Sequence, residues 1–214
     1  DEAHCVSDWG HDFRPDYLRL GGVVQQLGHP TVLALTATAA PPVRDEIVAR
    51  LEMTDPAVVV AGFDRPEIRL EVEQHADAHA KHTAVLDRVT ALTERGSGIL
   101  YSATRRSTEE LADALADRGL RARAYHAGLR KSDRAEVQRQ FMADELDVVV
   151  ATTAFGMGID RPETRFVVHA EPADSVDSYY QEIGRAGRDG EPAVAVLVYR
   201  QEDLGLRRFF AAGA

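Results

Sequence analysis

The sequence predicts an α/β fold in which a parallel sheet is covered by helices on both faces. Three observations point there. Short β-branched apolar runs recur along the chain, and helix-like amphipathic stretches fall between them. The runs are almost continuously apolar, as strands buried on both faces are. With 214 residues and 44 % hydrophobic side chains, the chain can bury a core as one large domain or two small ones.

Residues 31–36 (Thr-Val-Leu-Ala-Leu-Thr) read as the first buried strand, and residues 57–61 as the next. Between them Pro41-Pro42 opens a helix with Val43, Ile47, Val48 and Leu51 on one stripe. Further strands are expected at Gly98–Tyr101, 147–152, 165–169 and Ala193–Tyr199. Residues 84–93 form an amphipathic helix through Val85, Leu86, Val89 and Leu92. Ser107-x-x-Glu110 has the form of a capping box ahead of Leu111 and Leu115. Ser132 is placed to cap a helix carrying Val137 and Phe141. The alternation implies α/β layers joined by crossovers. The pattern restarts at Phe63-Asp64-Arg65-Pro66, so residues 1–64 are expected to form the end of one lobe and residues 65–214 a nearly complete second lobe.

The formal net charge of -10 argues against a general nucleic-acid footprint and leaves room for a local basic groove. A single cysteine, Cys5, excludes an internal disulfide and a four-cysteine zinc site within the chain. No apolar run has membrane-spanning length and no signal peptide stands at the start, so no membrane partner is expected and a reducing cytoplasmic setting is the default. Lys81 and Lys131 are the only lysines, the composition of a GC-rich bacterial genome. His75, His79 and His82 have helical metal-ligand spacing, without the acid or thiol partners that would complete a set.

The chemistry-bearing motifs begin with Asp1-Glu2-Ala3-His4. A carboxylate at a strand end, here Asp1, can hold the Mg²⁺ that bridges ATP phosphates. Its neighbour Glu2 can activate the attacking water, and His4 can sense the nucleotide or link to the next motif. Trp9, His11, Phe13 and Arg14 follow in a Gly- and Pro-broken loop, suited to stacking bases and pairing phosphates of single-stranded DNA. A hydrophobic latch is the alternative reading of that loop. Leu35-Thr36-Ala37-Thr38-Ala39 carries small hydroxyls that can relay between lobes. Ser102 and Thr104 end one strand, and His126 ends the next; strand carboxyl ends are where open α/β sheets bind ligands. Capping for the hydroxyls and a satisfied polar contact for His126 are the plain alternatives. Thr152 precedes a Gly156-x-Gly158 turn, with Asp160 beyond it. Glycines there allow backbone amides close to phosphate. Thr152 is a candidate for nucleic-acid phosphate, and Gly158 and Asp160 for nucleotide. In Gln181 through Gly190, a helix running on from Ser175 would bring Gln181, Arg185 and Arg188 onto one face, with Val176, Tyr179, Tyr180 and Ile183 opposite. Two guanidiniums presented together can act as arginine fingers on developing phosphate charge.

With these motifs in this order, the chain resembles the RecQ family of superfamily 2 DNA helicases. The carrying residues are Asp1 through Pro15, Leu35 through Ala39, Phe63-Asp64-Arg65-Pro66, Tyr125 through Leu129, Val150 through Asp160, and Ser178 through Gly190. The resemblance implies RecA-like P-loop NTPase lobes, ATP and Mg²⁺ as cofactors, and 3′→5′ translocation on single-stranded and partly duplex DNA. It implies that Asp1 holds Mg²⁺, that Glu2 is catalytic with Arg185 and Arg188, and that His4, Gly158, Asp160 and Gln181 belong to the nucleotide site. No Gly-x-x-x-x-Gly-Lys-Ser/Thr loop occurs within the 214 residues. The chain is therefore expected to be a piece of a helicase, inactive alone. A non-enzymatic nucleic-acid-binding module and an RNA helicase are the competing expectations.

Overall fold

A computed structural model of the chain describes residues 1–7, 15–37, 39–62, 64–156 and 159–205. It divides into two compact units, Asp1–Asp64 and Arg65–Ala214.

The second unit is built on a six-stranded sheet. Its strands are β1 (Ile68–Gln74), β2 (Gly98–Tyr101), β3 (Ala122–Tyr125), β4 (Val148–Ala151), β5 (Phe166–His169) and β6 (Ala193–Tyr199). Every pairing is parallel, in the order β1-β6-β5-β2-β4-β3. Of the two outermost strands, β3 is the one expected to end at Tyr125-His126, whereas β1 lies outside the strand expectations above. Both sit at edges, where one face is less covered and charged residues such as Arg69, Glu71 and Arg123 are tolerated.

The strands' side chains alternate between two cores. One face packs Leu100, Val148, Val150, Phe166, Val168 and Val196 against helices α3 (Ala78–Leu92) and α4 (Arg105–Asp117). The other packs Ile99, Tyr101, Val149, Val167 and Ala195 against α5 (Lys131–Met142) and α6 (Val176–Ile183). Burial on both faces accounts for the continuous apolar runs of β2, β4 and β5.

Several helix starts differ from the sequence expectation. α4 begins at Arg105 because Thr104 caps it, its hydroxyl accepting from the Ser107 amide at 3.1 Å. The Ser107 box is thus already inside the helix. α5 begins at Lys131 with Arg130 at the N-cap and no side-chain cap bond, so Ser132 does not cap it. α3 starts earlier than residue 84, at an Asp77 cap that accepts from the Ala80 amide.

The first unit contains α1 (Leu20–Gln26), α2 (Pro41–Arg50) and short 3₁₀ turns at Ala3–Val6 and Pro15–Arg19. Ala3, Val6, Val43, Ile47 and Leu51 form its small core. Neither expected strand, 31–36 nor 57–61, forms a ladder. Leu33 is 76 % exposed and Val59 92 % exposed, and the described residues of this unit supply no paired strand for either run. Among the described residues no helix is long and apolar enough to cross a membrane.

Candidate nucleotide and nucleic-acid site

In the first unit, Glu2 adopts a left-handed backbone conformation (φ 52°, ψ 41°). Such a conformation is uncommon for a residue with a side chain, and held outliers of this kind concentrate at functional sites. The Asp1 carboxylate is exposed and accepts the Glu2 amide through Oδ1 at 2.9 Å. Glu2 Oε2 is buried without a hydrogen-bond partner and lies 3.4 Å from His4 Nδ1. His4 Nδ1 in turn bonds Thr36 Oγ1 at 2.8 Å, and the Ala3 amide donates to Leu35 O at 2.9 Å. The Asp-Glu-Ala-His segment is thus tied directly to the Leu35-Thr36-Ala37 segment. Asp1 suits Mg²⁺, which takes one or two protein carboxylates and completes its shell with water and substrate phosphate. Among the described residues no cluster of three or more His, Cys, Asp or Glu side chains stands together as a metal cage. Trp9, His11, Phe13, Arg14 and Gly158 lie outside the described residues.

In the second unit, Ser102, Thr104, His126 and Thr152 all lie just beyond the carboxyl ends of three adjacent strands, β2, β3 and β4. Ser102 and Thr104 share Ser107 as a partner, at 2.6 and 2.8 Å between hydroxyl oxygens. Ser102 and His126 are buried, whereas Thr104 and Thr152 reach the surface. His126 Nε2 meets Glu109 Oε1 at 3.0 Å, while its Nδ1 is buried without a partner. Gly128 keeps that corner open: a Cβ there would stand 3.1 Å from both His126 Nδ1 and the Arg105 guanidinium. Arg105, exposed at the first turn of α4, adds a cation beside the hydroxyls.

Strand β2 leads toward β3 and strand β5 toward β6, so the connections diverge between these neighbours. A small polar cleft opens at that switch point, lined by Tyr101, Ser102, Thr153, His169, Glu171 and Glu182. His169 Nε2 meets Glu182 Oε2 at 2.6 Å, both residues being buried. Tyr101 stacks on His169 at 5.2 Å and donates its hydroxyl to Phe155 O at 2.9 Å. Burial pushes the Tyr101 phenol well above its ordinary pKa, the nearby Arg185 only partly opposing it.

The arginine segment departs from the expected helical face. α6 starts where anticipated, capped by Ser175, but it ends at Ile183 with Gly184 at the C-cap. Gly187 then takes φ +62°, a left-handed conformation that glycine adopts without strain. Gln181 is therefore helical, while Arg185 and Arg188 stand in the turn beyond. Val176, expected to anchor the helix, is 83 % exposed; Ile183 is the buried anchor. Both arginines nonetheless converge on the 152–165 connection between β4 and β5. Arg185 Nη1 donates to Gly156 O, and Arg188 Nη1 pairs with Asp160 Oδ1 at 2.8 Å.

Sequence reasoning missed Arg65, Lys81, Glu109 and Glu171. Lys81 is buried, with its Nζ on Glu171 Oε1 (3.1 Å) and Asp203 Oδ2 (2.8 Å). Glu171 Oε2 accepts the Ala103 amide, between Ser102 and Thr104. The available signals were Lys81 itself, one of two lysines in a chain that otherwise uses arginine, and the place of Arg65 in the Phe63-Asp64-Arg65-Pro66 motif.

A parallel sheet with polar groups on neighbouring carboxyl ends and an arginine turn on the adjoining connection is the architecture of a helicase lobe. Yeast Dbp5 bound to RNA and ADP BeF3 superposes with a TM-score of 0.74, covering 98 % of this chain and 56 % of that one. At 21 % identity that likeness is one of fold. The chain belongs to the helicase conserved C-terminal domain family, which it matches over residues 81–190, from α3 through the arginine turn. It is 47 % identical over 203 residues to the ATP-dependent DNA helicase RecQ of Pasteurella multocida, covering 95 % of this chain and 32 % of that protein. It is 45 % identical to the probable ATP-dependent DNA helicase RecS of Bacillus subtilis, covering 97 % of this chain and 42 % of the relative. The chain thus spans well under half the length of these relatives.

Proposed function

We propose that this chain is the second lobe and part of the first lobe of an ATP-dependent 3′→5′ DNA helicase of RecQ type. The observation that carries the reading is the 152–165 connection. It starts at Thr152 on the rim with Ser102, Thr104 and His126, and it holds Arg185 at Gly156 and Arg188 at Asp160. One segment therefore joins the candidate DNA contacts to the candidate arginine fingers, which is what coupling strand movement to hydrolysis requires. The similarity to RecQ and RecS over nearly the whole chain supports DNA as the substrate.

In this reading Asp1 holds Mg²⁺ and Glu2 activates water, with Thr36 fixing His4 beside Glu2. Bound ATP supplies the phosphoryl group whose developing charge Arg185 and Arg188 neutralise. Gln181, Gly158 and Asp160 complete the nucleotide contacts, and Trp9, His11, Phe13 and Arg14 take single-stranded DNA. The single cysteine accords with a cytoplasmic setting.

The complete gene product is expected to hydrolyse ATP only when single-stranded DNA is present, and to unwind DNA duplexes with a 3′ tail in preference to RNA duplexes. Glu2→Gln is expected to lower kcat by about 10²-fold or more while ATP binding persists. DNA-independent hydrolysis, or preference for RNA duplexes, would overturn the reading. The 214-residue chain alone is expected to show no DNA-stimulated hydrolysis, since it has no phosphate-cradling glycine loop.

A further inference from the structure

The turn that carries Arg185 and Arg188 is held by a residue far away in the sequence. Arg65 is the first residue of the second unit. Its Nη1 donates to Gly184 O at 3.3 Å, and its Nη2 to Ala186 O at 3.0 Å and Gly187 O at 3.5 Å. These carbonyls lie at the end of α6, where the helix leaves acceptors without internal partners. Nε of the same guanidinium binds Glu67, and that bond holds the Glu67 carboxyl below its ordinary pKa. Glu67 closes the other side of the turn, since a Cβ on Gly187 would stand 3.1 Å from Glu67 Cγ. The Gly187 amide is meanwhile fixed on Thr164 O at 2.9 Å. With its main chain pinned from one side by Arg65, the turn directs both of its arginines to the 152–165 connection.

We propose that Arg65 is a positioning residue for the arginine turn. It sets where the Arg185 and Arg188 guanidiniums stand, and acts on phosphoryl transfer only through them. The proposal rests on the ATPase reading above. A planar fork that reaches three carbonyls cannot be matched by the point donor of lysine, so charge alone does not replace Arg65.

The test is a double-mutant cycle on the complete gene product, read as DNA-stimulated phosphate release from radiolabelled ATP. Arg65→Gln is expected to lower kcat about tenfold, with KM for ATP and DNA affinity within about twofold, because misplacing a charge-stabilising group acts on the transition state. Arg65→Lys is expected to recover less than half of that loss. In an Arg185→Ala/Arg188→Ala background, Arg65→Gln is expected to cost less than about twofold more, as it must if Arg65 acts only through those two guanidiniums. A kcat for Arg65→Gln within twofold of the parent overturns the proposal. So does a full tenfold further loss in the Arg185→Ala/Arg188→Ala background, which a merely structural role would produce. If Arg65→Gln does not fold, Arg65→Lys carries the same comparison. If the unsubstituted protein shows no DNA-stimulated hydrolysis, the ATPase reading itself falls, and this proposal falls with it.

Discussion

Replacing Glu182 by leucine isolates one buried polar pair in the second unit. His169 is 1 % exposed and its Nε2 lies 2.6 Å from Glu182 Oε2. Its other nitrogen, Nδ1, is already buried without a partner. The ring is clamped between Tyr101 at 5.2 Å and Tyr179 at 5.0 Å, so it cannot swing out to water cheaply. Glu182→Leu therefore strands both ring nitrogens. Removing one partner of a buried pair costs about 3–5 kcal/mol, and the added apolar burial returns about 1 kcal/mol. The net loss is about 2–4 kcal/mol, and each kcal/mol moves the midpoint of a unit this size by about 2–4 °C, so Tm should fall by about 10 °C. Glu182→Gln keeps an acceptor in place and should cost about 1 kcal/mol. Thermal and urea unfolding followed by circular dichroism measure both. A Glu182→Leu protein within about 0.5 kcal/mol of the parent, or a glutamine variant as weak as the leucine one, would refute the pairing.

Arg185→Ala in the complete gene product should lower the DNA-stimulated kcat by about 10³-fold with little change in DNA affinity, as loss of an arginine finger does; steady-state hydrolysis and fluorescence anisotropy give the two numbers. Thr104→Ala should cost about 1 kcal/mol through the lost α4 cap, and weaken single-strand binding several-fold at low salt if that helix start meets phosphate, which a salt titration of anisotropy would show. The unit should also lose stability in acid. Burial raises the carboxyl pKa values of Asp147 and Asp203, but hydrogen bonds from Arg121 to the first, and from Lys81 and Arg200 to the second, outweigh it and hold both below the usual range. The unfolded chain then binds more protons as pH falls. The contribution is present above the ordinary aspartate pKa of about 3.9 and is lost as pH drops through the depressed folded values. Asp203→Asn should flatten that part of the acid-unfolding curve.

Strands buried on both faces were plain in the sequence because their apolar runs are nearly continuous, as in Val148, Val149 and Val150. The edge strand β1 was not. β1 alternates Ile68, Arg69, Leu70 and Glu71, and Arg88 of α3 pairs with Glu71 and Glu73 on its polar side. A search for continuous apolar runs passes over such a strand. The opposite error fell at residues 57–61, where Val58, Val59 and Val60 are as apolar as any strand yet exposed. Apolar composition makes a parallel strand possible; neighbouring strands make it one. At the candidate site, Ser102, His126 and Thr152 were legible because each directly follows a strand, and Thr104 because it stands between β2 and α4. The arginine turn was legible in residues but not in shape, since Gly184 and Gly187 end the helix that spacing alone would have continued. Arg65 was legible as part of the Phe63-Asp64-Arg65-Pro66 motif but not in its role, and Glu171 carried no signal, because their partners lie more than sixty positions away in the chain.

The strand order has a consequence for how the second unit assembles. β1 has one neighbour, β6, and the pair runs in register from Ile68 with Ala193 to Gln74 with Tyr199. The first strand of the unit thus waits for the last. A chain emerging from the ribosome keeps Leu70 and Val72 without a ladder until residue 199 has been made, and closing so long a loop is the slow kind of contact. Arg65 sits just ahead of β1, and the Glu67 carbonyl accepts the Ala193 amide at 2.8 Å. The arginine turn lies just ahead of β6, so the bond that ties the Arg65 segment to the sheet edge forms only once Ala193 has been made.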